Sequence, residues 1–213
     1  WRGQFPQTAE PFNLTIFQCG GAGARATKDG LSATGFPSGV GGVPAEVIES
    51  LTPLVLHRRE LRTDSGGAGR YRGGLGQWTT IGLHGQQPWS LSAMVDRIQY
   101  PGAGLAGGLP GACGEFVESD GRRPQPKALL ALRADERVQL NLPGGGGYGD
   151  PFERDPQTVL NDVVYGYLSM EAAARDYGVV IRFLGRPDQM VRLPEHYAID
   201  LPETERQRGA RLK

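Results

Sequence analysis

The chain has 213 residues, with 23 Lys and Arg against 23 Asp and Glu, so its formal charge is zero. That length suits one domain, or a domain with an extension, and is enough to bury a real core. The balanced charge removes the long-range field that nucleic acid or an anionic membrane would attract, leaving protein surfaces as the partners it permits. Apolar runs such as Val179-Val180-Ile181 fall far short of the ~20 residues of a membrane helix. No secretory signal opens the chain, which begins at Trp1 rather than Met, so a segment removed ahead of it stays open. Cys19 and Cys113 lie far apart and outside any CxxC pair, which reads as two reduced thiols of a cytoplasmic protein.

Glycine is the unusual residue: there are 33, with 16 Pro, about twice the usual ~7 % for glycine. Because 38 % of residues are hydrophobic and alternate between the glycines, a folded, loop-rich domain is expected rather than a linker. In chain order, residues 12–18 alternate as a strand and run into the turn Gly20-Gly21-Ala22-Gly23-Ala24. Residues 28–44 read as a surface loop and 53–61 as a strand, followed by the glycine-dense stretch 66–76. Residues 77–83 and 88–95 are β-like, with His84-Gly85-Gln86-Gln87 as a hairpin connection between them. Residues 101–111 form another loop, and 127–133 and 137–142 are strands. After Pro143-Gly144-Gly145-Gly146-Gly147-Tyr148-Gly149 the pattern changes. Asp155 caps a helix with Pro156 at its first position and Gly166 at its end; Ser169 caps a second helix, 170–177, ended by Gly178. Residues 179–183 look like a return strand, and the polar stretch from Pro187 onward reads as a terminal arm.

Several kinds of chemistry find no support. There is no GxxxxGK[ST] loop for nucleotide phosphates. Gly102-Ala103-Gly104-Leu105-Ala106-Gly107 fits GxGxxG, but Pro110-Gly111 follows where a helix is needed, so it is a structural turn. His57, His84 and His196 are isolated, and His57 and Glu60 point to opposite faces of a strand. Ser65 lacks the elbow of a hydrolase nucleophile. The helix pair superficially resembles a DNA reader, but 170–177 offers only Arg175 beside Glu171 and Asp176. Its Ala172–Ala174 face is expected to pack on the β domain or a partner, without duplex binding.

Two polar stretches remain, Pro44-Ala45-Glu46-Val47-Ile48-Glu49 and the loop from Asp64 to Gly74. Their charged side chains read three ways: an Asp–Arg pair stapling the loop, contact with a substrate carbonyl or phosphate, or a subunit interface. The glycines of the loop imply close backbone approach, whereas Ser65→Ala is expected to be mild.

The sequence resembles the hydantoinase B/oxoprolinase family. The matching stretches are Gly20–Arg25 with Asp29-Gly30, Pro44-x-Glu46-x-x-Glu49, and the run from Glu60 to Gly76. Asp96-Arg97, Pro143 to Pro151, Arg154-Asp155-Pro156, Asp162-Val163 and Ser169 to Val180 follow in the family's order. The resemblance implies the C-terminal part of a B-type subunit, in a complex that opens cyclic amides such as hydantoin, oxoproline or lactams. A ketone carboxylase subunit, or a non-catalytic assembly module, is the alternative. It further implies ATP and Mg on a hydantoinase A-type partner subunit and a divalent metal in an N-terminal half of the B-type subunit, with no cofactor or metal bound by this chain alone. The expected fold is α+β: a mostly antiparallel β-rich region over 1–150, a helix–turn–helix extension over 151–185, and a polar arm over 186–213. Asp64, Arg70 and Arg72 are the candidate catalytic residues, with Asp29 and Glu49 behind them.

Overall fold

Alternating residues of the first 150 positions fold into short strands. In the computed structural model, which describes residues 1–35, 38–186, 188, 191 and 193–210, β1 (Arg2–Gln4) and β2 (Pro11–Asn13) come first. Helix α1 (Ala45–Leu51) then precedes β3 (Leu54–Leu61) and β4 (Gln77–Leu83). β5 (Trp89–Ser92), β6 (Glu115–Glu118), β7 (Leu129–Leu132) and β8 (Val138–Asn141) follow. These form two four-stranded antiparallel sheets, in the orders β2-β1-β5-β7 and β3-β4-β8-β6. Trp1, Phe12, Trp89, Leu91 and Leu132 of the first sheet share one buried cluster with Leu54, Ile81, Phe116, Val138 and Leu140 of the second. The inward sides of both sheets therefore make one core.

The 84–87 connection is not a hairpin. β4 pairs with β3 and β8, whereas β5 pairs with β1 and β7, so this loop carries the chain from one sheet to the other. Alternation identifies which face of a strand is apolar, not which neighbour it pairs with. The expected strand over 12–18 stops at Asn13. The polar stretch 44–49 is mostly α1, with Pro44 as its N-cap and no side-chain cap hydrogen bond.

The glycine-rich segments form a structure of their own. Residues 143–149 are hydrogen-bonded to segments on several sides. Gly21 N–H donates to Pro143 O at 2.9 Å and Ala24 N–H to Gly146 O at 2.8 Å. Gly67 N–H donates to Gly145 O at 2.8 Å, Gly145 N–H to Gly74 O at 2.9 Å, and Gly147 N–H to Leu109 O at 2.9 Å. A pleated strand bonds to neighbours in one plane. An extended helix with about three residues per turn points its peptide groups outward in several directions, and this bundle has that character. A Cβ on Gly145 would lie 2.0 Å from Ala22 O, and one on Gly73 would lie 2.0 Å from Gly145 O. The backbones touch where side chains would otherwise stand, which explains the glycine content better than turns do.

The helical extension packs on the bundle. After a single turn over Pro151–Glu153, α2 (Pro156–Val164) is capped by Asp155, whose Oδ2 accepts from Thr158 N–H at 2.9 Å. α3 (Met170–Tyr177) is capped by Ser169 and ended by Gly178 at φ 62°. Ala172 and Ala173 are buried with Val159, Val163, Tyr177 and Ala68 of the glycine loop, so the alanine face packs on this chain itself. β9 (Ile181–Phe183) then pairs antiparallel with β10 (Tyr197–Ile199), and α4 (Leu201–Ala210) ends the described chain. The described part of the expected terminal arm thus returns to the domain. Thr204 Oγ1 accepts from Val180 N–H at 3.0 Å, and Arg208 donates to the carbonyls of Tyr177 and Arg154 at 3.1 and 2.8 Å. Such docking runs through polar groups, so hydropathy does not reveal it. The expectations that fall on residues 36–37, 187, 189–190, 192 and 211–213 lie outside the described residues. Among the described residues no helix is long and apolar enough to cross a membrane.

Candidate functional site

The seam between the glycine bundle and the helical extension holds a buried ionic cluster. α2 presents Asp162 inward, and the turn before it presents Arg154; their side chains are 8 % and 3 % exposed. Arg154 grips Asp29 with both terminal nitrogens, Nη1 to Oδ1 at 2.8 Å and Nη2 to Oδ2 at 2.7 Å. This fork geometry suits a carboxylate. Arg154 Nη2 also reaches Asp162 Oδ2 at 2.8 Å, and Arg72 Nε reaches the same oxygen at 3.3 Å. Arg72 backbone N–H donates to Asp29 Oδ1 at 2.7 Å, and its guanidinium lies 5.3 Å from the centre of the Tyr167 ring. Two carboxylates answer two guanidiniums, so the cluster is neutral as a whole.

Burial alone would raise the pKa of Asp29. The hydrogen bonds and charge of Arg154, with the N–H of Arg72, outweigh burial and hold it below the ordinary carboxylate value. Burial works against the charge on Arg154 as well, yet Asp29 and Asp162 raise its pKa. Tyr177 is pushed up chiefly by its own burial. Its hydroxyl and Arg154 Nε are buried without a hydrogen-bond partner. With its charges paired internally, the cluster staples the glycine loop and the Asp29 turn to α2.

The structure brings Asp29 and Arg72 together here but not the other sequence candidates. Asp64, at φ 61°, uses Oδ1 to accept from Ser169 N–H at 2.7 Å ahead of α3. Arg70 is exposed, with Nη1 3.7 Å from Glu153 Oε2. Glu49 sits on α1, where Oε1 accepts from Leu56 N–H at 2.9 Å. Although Asp64, Arg70 and Arg72 share one loop, their side chains leave it toward different neighbours. Sequence reasoning missed Arg154 and Asp162 as partners, although both stand in motifs that carried the family resemblance.

A second location is open to solvent. A cleft of about 560 Å³ lies where the first sheet meets the end of the glycine bundle. Trp1, Ile16, Leu91, Val95, Leu140 and Pro143 supply apolar wall, and Arg2, Gln18, Asp96 and Arg97 supply polar groups. The volume falls in the range of small-molecule pockets, ~300–1,000 Å³. Gln18 Oε1 is buried and has no hydrogen-bond partner. Asp96 pairs with Lys127 at 3.1 Å. Arg97 has a left-handed backbone, φ 56°, held by its carbonyl accepting from Gly114 N–H at 2.9 Å.

Glu118, Asp120 and Glu136 place carboxylate oxygens within 4.8 Å of one another, a spacing that could hold a cation. Arg122 already stands among them, 2.6 Å from Glu118, 2.5 Å from Asp120 and 3.5 Å from Glu136, and Arg133 reaches Glu136 at 3.2 Å. Guanidinium groups fill the position of a metal, so the trio is an ion-pair network beside the β6–β8 pair and does not fit a catalytic divalent ion.

These features sit on a fold with known relatives. The hydantoinase B/oxoprolinase family model matches residues 1–151, and the chain belongs to that family. The beta chain of the caprolactamase of Pseudomonas jessenii is 38 % identical over 181 residues, covering 79 % of this chain and 31 % of that protein. The alpha chain of the acetone carboxylase of Xanthobacter autotrophicus is 32 % identical over 222 residues, covering 84 % and 28 % respectively. The putative B-type component of a D-/L-hydantoinase from a Pseudomonas species is 34 % identical over 169 residues, covering 76 % and 28 %. The chain thus spans 28–31 % of the length of these relatives. The crystal structure of ATP-dependent caprolactamase from Pseudomonas jessenii matches 98 % of the chain with a TM-score of 0.77 and 30 % identity, over 36 % of the solved chain. Nucleotide-free acetone carboxylase matches 99 % with a TM-score of 0.73 and 25 % identity, over 32 % of the solved chain.

Proposed function

We propose that this chain is the C-terminal part of a B-type subunit in a cytoplasmic, multi-subunit, ATP-dependent hydrolase that opens cyclic amides. The observation that carries this reading is the likeness to caprolactamase in both comparisons, at 38 % identity in sequence and a TM-score of 0.77 in structure. In the proposed assembly a hydantoinase A-type partner binds ATP and Mg, and the rest of the B-type subunit holds a divalent metal. ATP would supply the phosphoryl group that makes a resonance-stabilised ring amide easier to attack. This chain's contribution is mechanical and electrostatic. The glycine bundle and its ionic seam give a stiff frame, and a site held on rigid elements keeps its geometry. The open cleft beside that frame is lined by apolar residues and by Arg2 and Arg97, and would take a small molecule. By itself the chain is proposed to be inactive.

A ketone carboxylase is the second reading, favoured by the similarity to acetone carboxylase in sequence and structure. One experiment separates the two. The chain is co-purified with an A-type subunit and the remainder of a B-type subunit, and ATP consumption is measured with each substrate class. Stimulation by caprolactam, hydantoin or 5-oxoproline, with formation of the ring-opened acid, supports the hydrolase. Stimulation that needs bicarbonate with acetone or acetophenone supports the carboxylase. A stable complex that responds to neither class overturns both.

A further inference from the structure

Two exposed arginines without a side-chain acceptor border the cleft of about 560 Å³. Arg2 and Arg97 both line it, and among the described residues neither guanidinium has a hydrogen bond or ion pair. The one carboxylate in the lining, Asp96, is engaged by Lys127. The lining therefore combines two unpaired cationic residues with apolar ones, Ile16, Leu91, Leu140 and Pro143.

Arg97 adds a second observation. Its backbone is in the left-handed region, which disfavours any side chain and which glycine adopts freely. The chain has 33 glycines, yet arginine stands at this position. Among the described non-glycine residues in that conformation, only Asp64 and Arg97 carry charged side chains, and Asp64 is engaged with Ser169. The Arg97 side chain has no such duty, and the residue belongs to the cleft lining.

We propose that this cleft binds a small apolar carboxylate, with Arg97 and Arg2 receiving the carboxylate and the Ile16–Leu91–Leu140–Pro143 wall receiving the carbon body. The assignment rests on the proposed function for its meaning. Hydrolysis of a lactam yields an amino acid, hydrolysis of a hydantoin yields a carbamoyl amino acid, and carboxylation of a ketone yields an oxo acid. Each product is a carboxylate on a carbon body, and guanidinium is the side chain whose forked donors match that group. The cleft is thus a product-side subsite, one that serves either reading of the reaction.

The test is equilibrium binding to the 213-residue chain, which needs neither ATP nor a partner. Hexanoate, hexanamide and hexylamine are titrated by calorimetry, with tryptophan fluorescence as a second readout because Trp1 of the wall stacks on Trp89 at 5.8 Å. Hexanoate should bind saturably, and hexanamide and hexylamine about tenfold or more weakly, since a charge-assisted bond is lost. Arg97→Gly should reduce hexanoate to the level of hexanamide while leaving the melting temperature equal or higher, because it removes the charge and relieves the backbone. Arg97→Lys should retain part of the preference. If hexanamide binds as well as hexanoate, if hexanoate shows no saturable binding, or if Arg97→Gly binds hexanoate unchanged, the assignment fails. Those failures leave turnover by the assembled complex untouched, whereas an inactive complex with intact hexanoate binding would sink the functional reading alone.

Discussion

A single methyl group at Gly145 should disable the glycine bundle. The Cβ of Gly145→Ala would lie 2.0 Å from Ala22 O, 2.3 Å from Ala22 C and 2.7 Å from Gly23 N, all backbone atoms. No rotamer change relieves such contacts, so the two segments must separate by about 1 Å or more to reach ordinary packing distance. The hydrogen bonds that join these two segments are already at working length: Gly21 N–H to Pro143 O at 2.9 Å and Ala24 N–H to Gly146 O at 2.8 Å. That separation stretches them beyond useful range. Losing a net ~1 kcal/mol for each gives about 2 kcal/mol, and more if the groups stay buried and unpaired. For a chain of this size the melting temperature should fall by about 4–8 °C. Gly41→Ala is the control, because a Cβ there meets nothing within 4 Å; it should be neutral or stabilising by up to ~1 kcal/mol. Thermal and urea unfolding followed by circular dichroism read both variants. If Gly145→Ala melts within about 2 °C of the parent, the backbone-packed bundle is not what holds this half of the molecule together.

Two further outcomes follow from buried polar groups. Ser65→Ala should be costly rather than mild: Ser65 is buried, its hydroxyl accepts from Gly76 N–H at 2.9 Å and donates to Arg62 O at 2.5 Å. The stranded N–H costs about 1–3 kcal/mol, read as a lower urea midpoint, and an unchanged midpoint would contradict the assigned bonds. Asp29 has a folded pKa below its ordinary 3.8, so its contribution is present above that value and is lost as pH falls through the lower, folded one. Asp29→Asn should therefore be less stable than the parent at neutral pH and lose less stability on acidification. Urea denaturation across that acid range checks this, and parallel stability–pH curves would rule out Asp29 as a contributor.

What the sequence makes legible is what depends on near neighbours. Asp155 with Pro156, Ser169, and Gly178 are local helix signals, and the helices stand where those residues place them. The alternation of Val138, Leu140 and Leu142 likewise reports a strand with one buried side. Partnership across the chain is another matter. Arg72 and Asp162 are 90 positions apart, and no periodicity joins them. Nor does composition reveal that glycines at 21–23, 66–74 and 144–147 lie against one another, since a turn and a close-packed backbone ask for the same residue. α4 escaped notice because it is polar and docks through Thr204 and Arg208 rather than an apolar stripe. The site residues suffered from the same limit: residue type and loop position were visible in Asp64 and Arg70, while side-chain direction was not.

The bundle and the cleft are physically continuous, and that continuity separates two kinds of defect. Gly20 and Pro143 line the cleft, and a Cβ on Gly20 would sit 2.4 Å from Pro143 O. The same Pro143 carbonyl accepts from Gly21 N–H. Part of the cleft wall is therefore the end of the bundle, and anything that spreads the glycine segments must also move that wall. Gly145→Ala should then impair hexanoate binding along with stability. Arg97→Gly acts from the other side of the lining and should change binding without loss of stability. If a rigid frame is what this chain brings to its complex, binding should be lost with the bundle even when every charged group of the cleft is intact. Retention of full hexanoate affinity in a folded but destabilised Gly145→Ala would show instead that the cleft keeps its shape without the bundle, and that the glycines serve folding alone.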